Sequence, residues 1–295
     1  LPEVRDLRLP RVLESLDAAK AEGLDPQDIR KAGMTLLTEG RKSGRAAIAR
    51  AFEADPFAAR RATRSYTWLT DCLVLGAMEI ATGHLHPNPN PTEGERIALL
   101  AVGGYGRGQM APESDVDLLF LTPYKITPWA ESVIESMLYM LWDLKLKVGH
   151  ASRTVRDCLR LGGEDYTIRT AMLENRYLGG NAALAEELDQ RLWNELFQGS
   201  ETAFVEAKLT ERDSRHERQG QRYMVEPNVK EGKGGLRDLQ SLYWIAKYVH
   251  RADTARELVD LGVFRTEEYT EFELAERFIW AVRCHLPPDH RPPDR

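Results

Sequence analysis

The chain has 295 residues, 42% hydrophobic and 29% charged, enough for one large domain or two and for a sizeable core. Its formal charge of −6 argues against general nucleic-acid binding, which relies on dense Lys and Arg to displace counterions, although a local basic patch is compatible with it. Cys72, Cys158 and Cys284 are widely spaced without a Cys-x-x-Cys, so neither a disulfide framework nor a zinc site is indicated and reduced cytosolic thiols are expected. Glu3, Arg5, Asp6 and Arg8 occupy the stretch where a signal peptide needs an apolar core. Nothing approaches the roughly 18 uninterrupted apolar residues of a membrane span. A cytoplasmic protein with no membrane and no nucleic-acid partner is expected.

In chain order, residues 5–83 read as helices broken at Gly23-Leu24-Asp25-Pro26 and at Asp55-Pro56, each an N-cap aspartate with proline at the first helical position. The helix from Pro56 to about Thr82 carries Tyr66, Leu69, Leu73, Met78 and Ile80 at helical spacing, which predicts a buried face; Trp68 is read as core with them. The proline-rich segment 84–91 is a connector. Its His84 and His86 make at most half a metal site, with no third ligand nearby.

Next come two β-prone runs, 97–102 and 116–121, flanking a loop that holds Gly103, Gly104, Gly106 and Gly108, a strand–turn–strand unit. Glycines let backbone N–H groups approach an anion closely, as cradling a triphosphate requires. Asp115 and Asp117 stand two apart, so on a strand they leave the same face. Two such carboxylates repel unless a cation lies between them, and Mg²⁺ commonly takes one or two carboxylates plus substrate phosphates. Arg107 and Ser114 of the same loop are candidates for phosphate oxygens, Arg107 in a bidentate fashion. A plain hairpin with a polar turn leaves unexplained why two aspartates, depleted from strands, share one strand face.

Thr127-Pro128 opens a helix to about Leu144 with Val133, Met137, Met140 and Leu141 inward, followed by a third strand over 145–152. Helices are expected over 154–161, 165–178 and 181–197, and from about 201 to 285 apart from a loop over 223–235. The charge-rich run 211–221 is read as a solvated helix face. The predicted fold class is α+β, a small mixed sheet near residues 97–152 embedded in helices. The expected organisation is an N-terminal helical segment (1–55), a sheet-bearing domain (56–180), a helical domain (181–285) and a proline-rich tail (286–295).

A second constellation is Glu226-Pro-Asn-Val-Lys-Glu-Gly-Lys-Gly-Gly-Leu-Arg-Asp238, a glycine loop feeding a helix with Leu236, Leu239, Leu242, Ile245, Ala246 and Val249 on its inner side. A loop at a helix N-terminus offers free N–H groups and the dipole to an anion, and Lys230, Lys233 and Arg237 add positive charge. It is not a Walker A motif, because the four-residue spacer and the following Ser or Thr are missing.

Gly-Gly-Tyr-Gly-Arg-Gly followed by Ser-Asp-Val-Asp resembles the signature of the DNA polymerase β-like nucleotidyltransferase superfamily, and within it the PII uridylyltransferases of bacterial nitrogen signalling. Pro-Asn-Val-Lys-Glu-Gly-x-Gly-Gly-Leu-Arg-Asp-Leu-Gln is similar to a segment that follows the nucleotidyltransferase core of that family. The resemblance covers roughly residues 60 to 285. It implies Asp115 and Asp117 as Mg²⁺ ligands, with Gly103, Gly104 and Arg107 in a UTP phosphate pocket. Ser114, Lys230 and Lys233 are further nucleotide-binding candidates. The implied reaction is attack of a tyrosine hydroxyl of the PII protein on the α-phosphorus of UTP, releasing pyrophosphate. A phenol has an ordinary pKa near 10, so it must be deprotonated or polarised to attack.

Two departures accompany the resemblance. Many superfamily members add a third carboxylate from the next strand, but residues 147–152 contain none; Asp143 and Glu174 are the nearest candidates, leaving a firm two-carboxylate site. The family chains are also longer, continuing into an HD phosphohydrolase that removes UMP and into glutamine-sensing ACT domains. Here Asp289-His290 reverses the His-Asp order of that hydrolase, so neither UMP removal nor glutamine control is expected of this chain, which reads as a fragment or truncated form. Two other functions fit the same motifs. One is a relative using ATP or another acceptor, such as the adenylyltransferase of glutamine synthetase; the other is a non-catalytic nucleotide-binding regulatory module.

Overall fold

The sheet forms where alternate residues of an almost wholly apolar stretch can be buried on opposite sides. The computed structural model of the chain describes residues 14, 16–18, 23, 25–218, 228–252 and 254–286. Helix α1 (Pro26–Ala54) starts as the sequence predicts, with Asp25 accepting from the N–H groups of Gln27 and Asp28 at 2.8 and 2.9 Å. Asp55, read as the next N-cap, is instead the C-cap of α1, its N–H bonded to Ala51 O; Pro56 and Phe57 turn the chain, and α2 (Ala59–Glu79) begins after them. Leu69, Leu73 and Ile80 are buried and Tyr66, Trp68 and Met78 pack against the same core, as their spacing requires. A π-helical turn, Ile80–Leu85, ends α2.

Strand β1 (Ala98–Ala101), a single helical turn α3 (Gly103–Gly106) and strand β2 (Val116–Thr122) form the predicted unit, with one turn of helix inside the loop. Helix α4 (Pro128–Asp143), capped by Thr127, leads to β3 (Val148–Thr154). Helices α5 (Val155–Glu164) and α6 (Tyr166–Leu173) follow, then β4 (Arg176–Gly180). Helix α7 (Ala182–Arg191) runs into a π-helical turn, Leu192–Phe197. The rest is α8 (Glu201–Arg218), α9 (Leu236–His250), a short α10 (Glu257–Asp260) and α11 (Thr266–His285).

The sheet order is β3-β2-β1-β4, with β1 antiparallel to both neighbours and β2 parallel to β3. Leu99, Ala101, Leu118 and Phe120 face a core shared with α1, α2 and α4, whereas Ala98, Leu100, Leu119 and Leu121 face a second core built by α5, α6, α7 and α9. The fold is α+β, a small mixed sheet held between helical layers, as expected. One strand escaped the sequence: a helix was predicted through 178, but α6 stops at Leu173 and β4 pairs with the edge of β1. Gly179 and Gly180, poor helix formers at the end of that segment, were the available signal.

Helix α9 buries only part of the face expected inside: Leu236 and Ala246 are buried, but Leu242 and Val249 are exposed, and Gln240, Trp244 and Tyr248 continue the stripe from Leu236. The four-residue interval is helical, but it carries polar and aromatic groups that an apolar count passes over.

The α3 turn presses on the α6–β4 corner so closely that a Cβ at Gly106 would lie 1.8 Å from Glu174 O and 2.9 Å from Ala101 O. Backbone on both sides cannot yield as a side-chain tip would. Gly106→Ala is expected to lower the urea-unfolding free energy by more than about 2 kcal/mol, whereas Gly108→Ala, at φ +72 but in open space, costs about 1 kcal/mol.

Candidate functional site: an acidic strand end facing a basic helical wall

The sequence motifs at 103–117 and 228–237 are far apart in the chain, yet they line one cleft of about 970 Å³. On the strand side, Val102 N–H donates to Asp117 O at 3.0 Å, which fixes where the Gly loop leaves β1. The Asp117 carboxylate lies between two glycines. A Cβ on Gly149, its register partner on β3, would be 2.5 Å from Oδ1, and one on Gly103 would be 3.4 Å from Oδ2. Gly149 belongs to the stretch that sequence reading found bare of carboxylates; its contribution is the space it leaves for Asp117.

Asp115, just before β2, lines the same cleft. Burial, then the neighbouring Asp115, push the Asp117 carboxyl above its usual range, and Lys230 partly offsets them. Two close carboxylates, one partly desolvated, make a donor pair of the kind that Mg²⁺ takes together with phosphate oxygens. Among the described residues no cluster of three or more His, Cys, Asp or Glu side chains is arranged to hold a metal. Asp143 pairs with Arg30 at 2.9 Å, away from the cleft lining. His86 bonds Ser136 Oγ at 2.8 Å through Nε2, and His84 is buried nearby without a third ligand.

The loop before the aspartates is held from two sides. Ser114 Oγ accepts from Ala111 N–H at 3.0 Å, and Glu113, at φ 63, pairs with Arg45 of α1. Ser114 thus lines the cleft while closing its own turn.

Glu174 is the centre of the site's interior. Its side chain, 2% exposed, accepts from Arg107 Nη1 at 2.6 and 2.5 Å and from the Trp244 indole N–H. Arg107 is itself only 9% exposed and donates through Nε to Gln109 at 3.2 Å. The guanidinium expected to meet phosphate is therefore anchored inward through one nitrogen, with Nη2 beside Gly104. Glu174, weighed as a third metal ligand, already has Arg and Trp partners.

The opposite wall is cationic. Lys208 and Arg215 of α8, Lys230, Arg237 of α9 and Arg283 of α11 all line the cleft. Lys208 is 2% exposed and donates to Glu211 at 2.7 Å; Arg215 is 7% exposed and bonds Asp238 at 2.5 Å. In the described part of the 211–221 run only Arg215 is buried; Phe204, Lys208 and Arg215 are the buried residues of α8, with cations where apolar side chains usually signal a core. That substitution is why sequence reading missed Lys208 and Arg215, as it missed Trp244 and Arg283. Residues 219–221, with Glu226 and Pro227 of the second motif, lie outside the described residues.

The 228–235 loop corrects another expectation. Asn228 Oδ1 accepts from the N–H groups of Lys230 and Glu231 at 3.0 and 2.9 Å. The first amides of α9 are likewise taken: Leu236 N–H by Val229 O, Arg237 N–H by Lys230 O and Asp238 N–H by Gly235 O. These donors are turned onto the loop itself, so positive charge reaches the cleft on side chains. Burial, then Arg283 and Arg237, pull the Lys230 ammonium down to about 8, against Glu231 and Asp115. Lys233 is exposed and outside the cleft lining.

Asp238 braces this loop, accepting from Gly234 N–H at 2.8 Å and from Arg215 and His216. Burial alone would raise its carboxyl, but those partners outweigh burial and hold it below the usual carboxylate range. A depressed folded pKa means the stabilisation is present above the unfolded value, roughly 3.9, and is lost as pH falls through the folded one. Asp238→Asn is expected to speed hydrogen exchange at Gly234 near pH 7, and its urea midpoint should converge with that of the wild type as pH drops below about 4.

Comparisons with known proteins place this architecture. The GlnD PII-uridylyltransferase family profile matches residues 203–287, which carry the basic wall. The chain is 64% identical over 277 residues to the bifunctional uridylyltransferase/uridylyl-removing enzyme of Ruegeria pomeroyi, covering 94% of this chain and 30% of the relative. It is 61% identical over 276 residues to the enzyme of the same name from Cereibacter sphaeroides, with 93% and 30% covered. For that of Novosphingobium aromaticivorans it is 52% over 274 residues, with 92% and 30% covered. The chain spans about 30% of the length of these curated relatives, and over that span it belongs to the bifunctional uridylyltransferase/uridylyl-removing enzyme family.

Proposed function

We propose that the chain is the nucleotidyl-transfer portion of such an enzyme, moving UMP from UTP to a tyrosine of the PII protein with Mg²⁺. The observation that carries this reading is the meeting, in one cleft, of two carboxylates at the start of β2 with a wall of cations from the helices. A nucleoside triphosphate needs both, a divalent ion for its phosphates and fixed positive charge for what the ion leaves unneutralised. Family membership supports the choice of UTP and PII, because the relatives are named uridylyltransferases and the matching profile is named for PII.

Asp115 and Asp117 would hold the Mg²⁺, which when bound supplies charge neutralisation to the phosphates and acidity to an attacking hydroxyl. The chain's own groups do the rest. Gly103 and Gly104 leave room for phosphate beside the α3 turn, and Lys230, Arg237 and Arg283 stabilise charge gathering on the departing pyrophosphate. The tyrosine oxygen bonds the α-phosphorus, the α–β bridging bond breaks, and the phenolic proton is released. The buried Arg107–Glu174 pair keeps the Gly loop from shifting as ligands enter and leave. Glu174, Glu211 and Glu231 line the cleft but none joins Asp115 and Asp117 in a metal-holding cluster among the described residues, which makes a module that binds nucleotide without turning it over the second reading.

Incubation with labelled UTP, Mg²⁺ and PII is expected to label PII, and Asp115→Asn with Asp117→Asn to reduce the rate at least roughly 100-fold. Mg²⁺-dependent UTP binding without transfer would favour the second reading, and a nucleotide panel tests ATP. Gly149→Ala, which crowds the Asp117 carboxylate, is expected to lower kcat/KM between roughly tenfold and 100-fold at a nearly unchanged unfolding midpoint.

A further inference from the structure

Three cations that line the cleft converge on one indole. Lys208 Nζ stands 5.1 Å from the Trp244 ring centroid, Arg237 Cζ 5.4 Å and Arg107 Cζ 5.9 Å. They come from three parts of the chain: the turn after β1, helix α8 and helix α9. Like charges so close repel, and the ring's negative face offsets part of that repulsion, more strongly when water is excluded. Trp244 is 4% exposed, and its N–H is held by the buried Glu174 carboxylate, which fixes the ring's orientation. One side chain therefore sets where cations from both walls of the cleft can stand.

Each cation also has one carboxylate neighbour, but these differ in burial. Glu174 is sealed in the interior, whereas Glu211 and Glu231, paired with Lys208 and Arg237 at 2.7 and 3.2 Å, are 46% and 29% exposed. An entering polyanion can replace the two exposed carboxylates without disturbing the buried one. A lysine ammonium has three donors and a guanidinium five, so each cation keeps donors for that ligand.

Resting on the reading of this cleft as a nucleoside triphosphate site, we propose that Trp244 is the positioning residue of its polyphosphate subsite. Oriented by Glu174, it holds Lys208, Arg237 and Arg107 where they meet the phosphates beyond the α-phosphorus. The ligand chemistry is a linear tri- or diphosphate, with the nucleoside recognised elsewhere in the cleft.

The test is calorimetric titration of the 295-residue chain with tripolyphosphate, UTP and UMP, each with Mg²⁺. Trp244→Leu is expected to weaken tripolyphosphate and UTP about tenfold or more and UMP less than about twofold, with Trp244→Phe between wild type and Leu because it keeps a ring. Equal losses for UTP and UMP, or unchanged tripolyphosphate binding, overturn the proposal. Should Trp244→Leu not fold, Trp244→Phe and Lys208→Met in a double-mutant cycle decide it: losses for tripolyphosphate that fall short of additive support the assignment, and additive losses overturn it. If the wild type binds tripolyphosphate through Trp244 but shows no preference for UTP, the subsite stands and the nucleotide reading falls. If it binds neither, both fall.

Discussion

The buried carboxylate of Glu174 is the constraint on which the rest of the site depends. It sits where α6 ends and β4 begins, and it draws Arg107 from the Gly loop and Trp244 from α9 onto one point. An ion pair taken out of water repays its desolvation only when its geometry and extra hydrogen bonds are good, and removing one partner leaves a charge stranded. Arg107 Nη1, shared by both Glu174 oxygens, and the indole N–H supply those bonds. The loop after β1 and the helix at 236–250 are thereby tied to one carboxylate.

The two sides of the cleft divide the electrostatic task. The strand side concentrates negative charge at the start of the central strand β2, where Gly149 of β3 puts no side chain against it, and the helical side sets arginines and lysines at positions otherwise used for packing. Lys208 is tethered to Glu211, Arg215 to Asp238, and Arg237 to Gln240 and Glu231, so this positive charge is preorganised. The loop at 228–235 uses its own carbonyls to satisfy the start of α9, which leaves Lys230 as its offering to the cleft.

Much of this was legible in the sequence because the relevant signals are local. The apolar runs that become β1 and β2, the proline and threonine that open α4, and the placing of Asp115 and Asp117 at the start of β2 follow from local sequence alone. What escaped depends on partners distant in the chain. β4 is short and glycine-ended, and only the edge of β1 makes it a strand. Asp55 has the chemistry of a start signal, yet the turn through Pro56 delays the next helix. Lys208 and Arg215 occupy the buried stripe of α8, but their character is that of a surface until Trp244 and Asp238 are known to face them. Arg107 lines the cleft beside the motif it was read from, while the carboxylate that holds it lies 67 residues away.

The pairing of β2 with β3 carries one more consequence. Asp117 stands opposite Gly149, with Val148 and His150 on either side of that glycine. A slip of β3 by a single residue would reverse its faces and set a branched or aromatic side chain against the carboxylate. Only the native alignment leaves space around the Asp117 carboxylate, so the sheet carries its own gauge of correct assembly: a chain that pairs its parallel strands out of step closes the acidic end of β2.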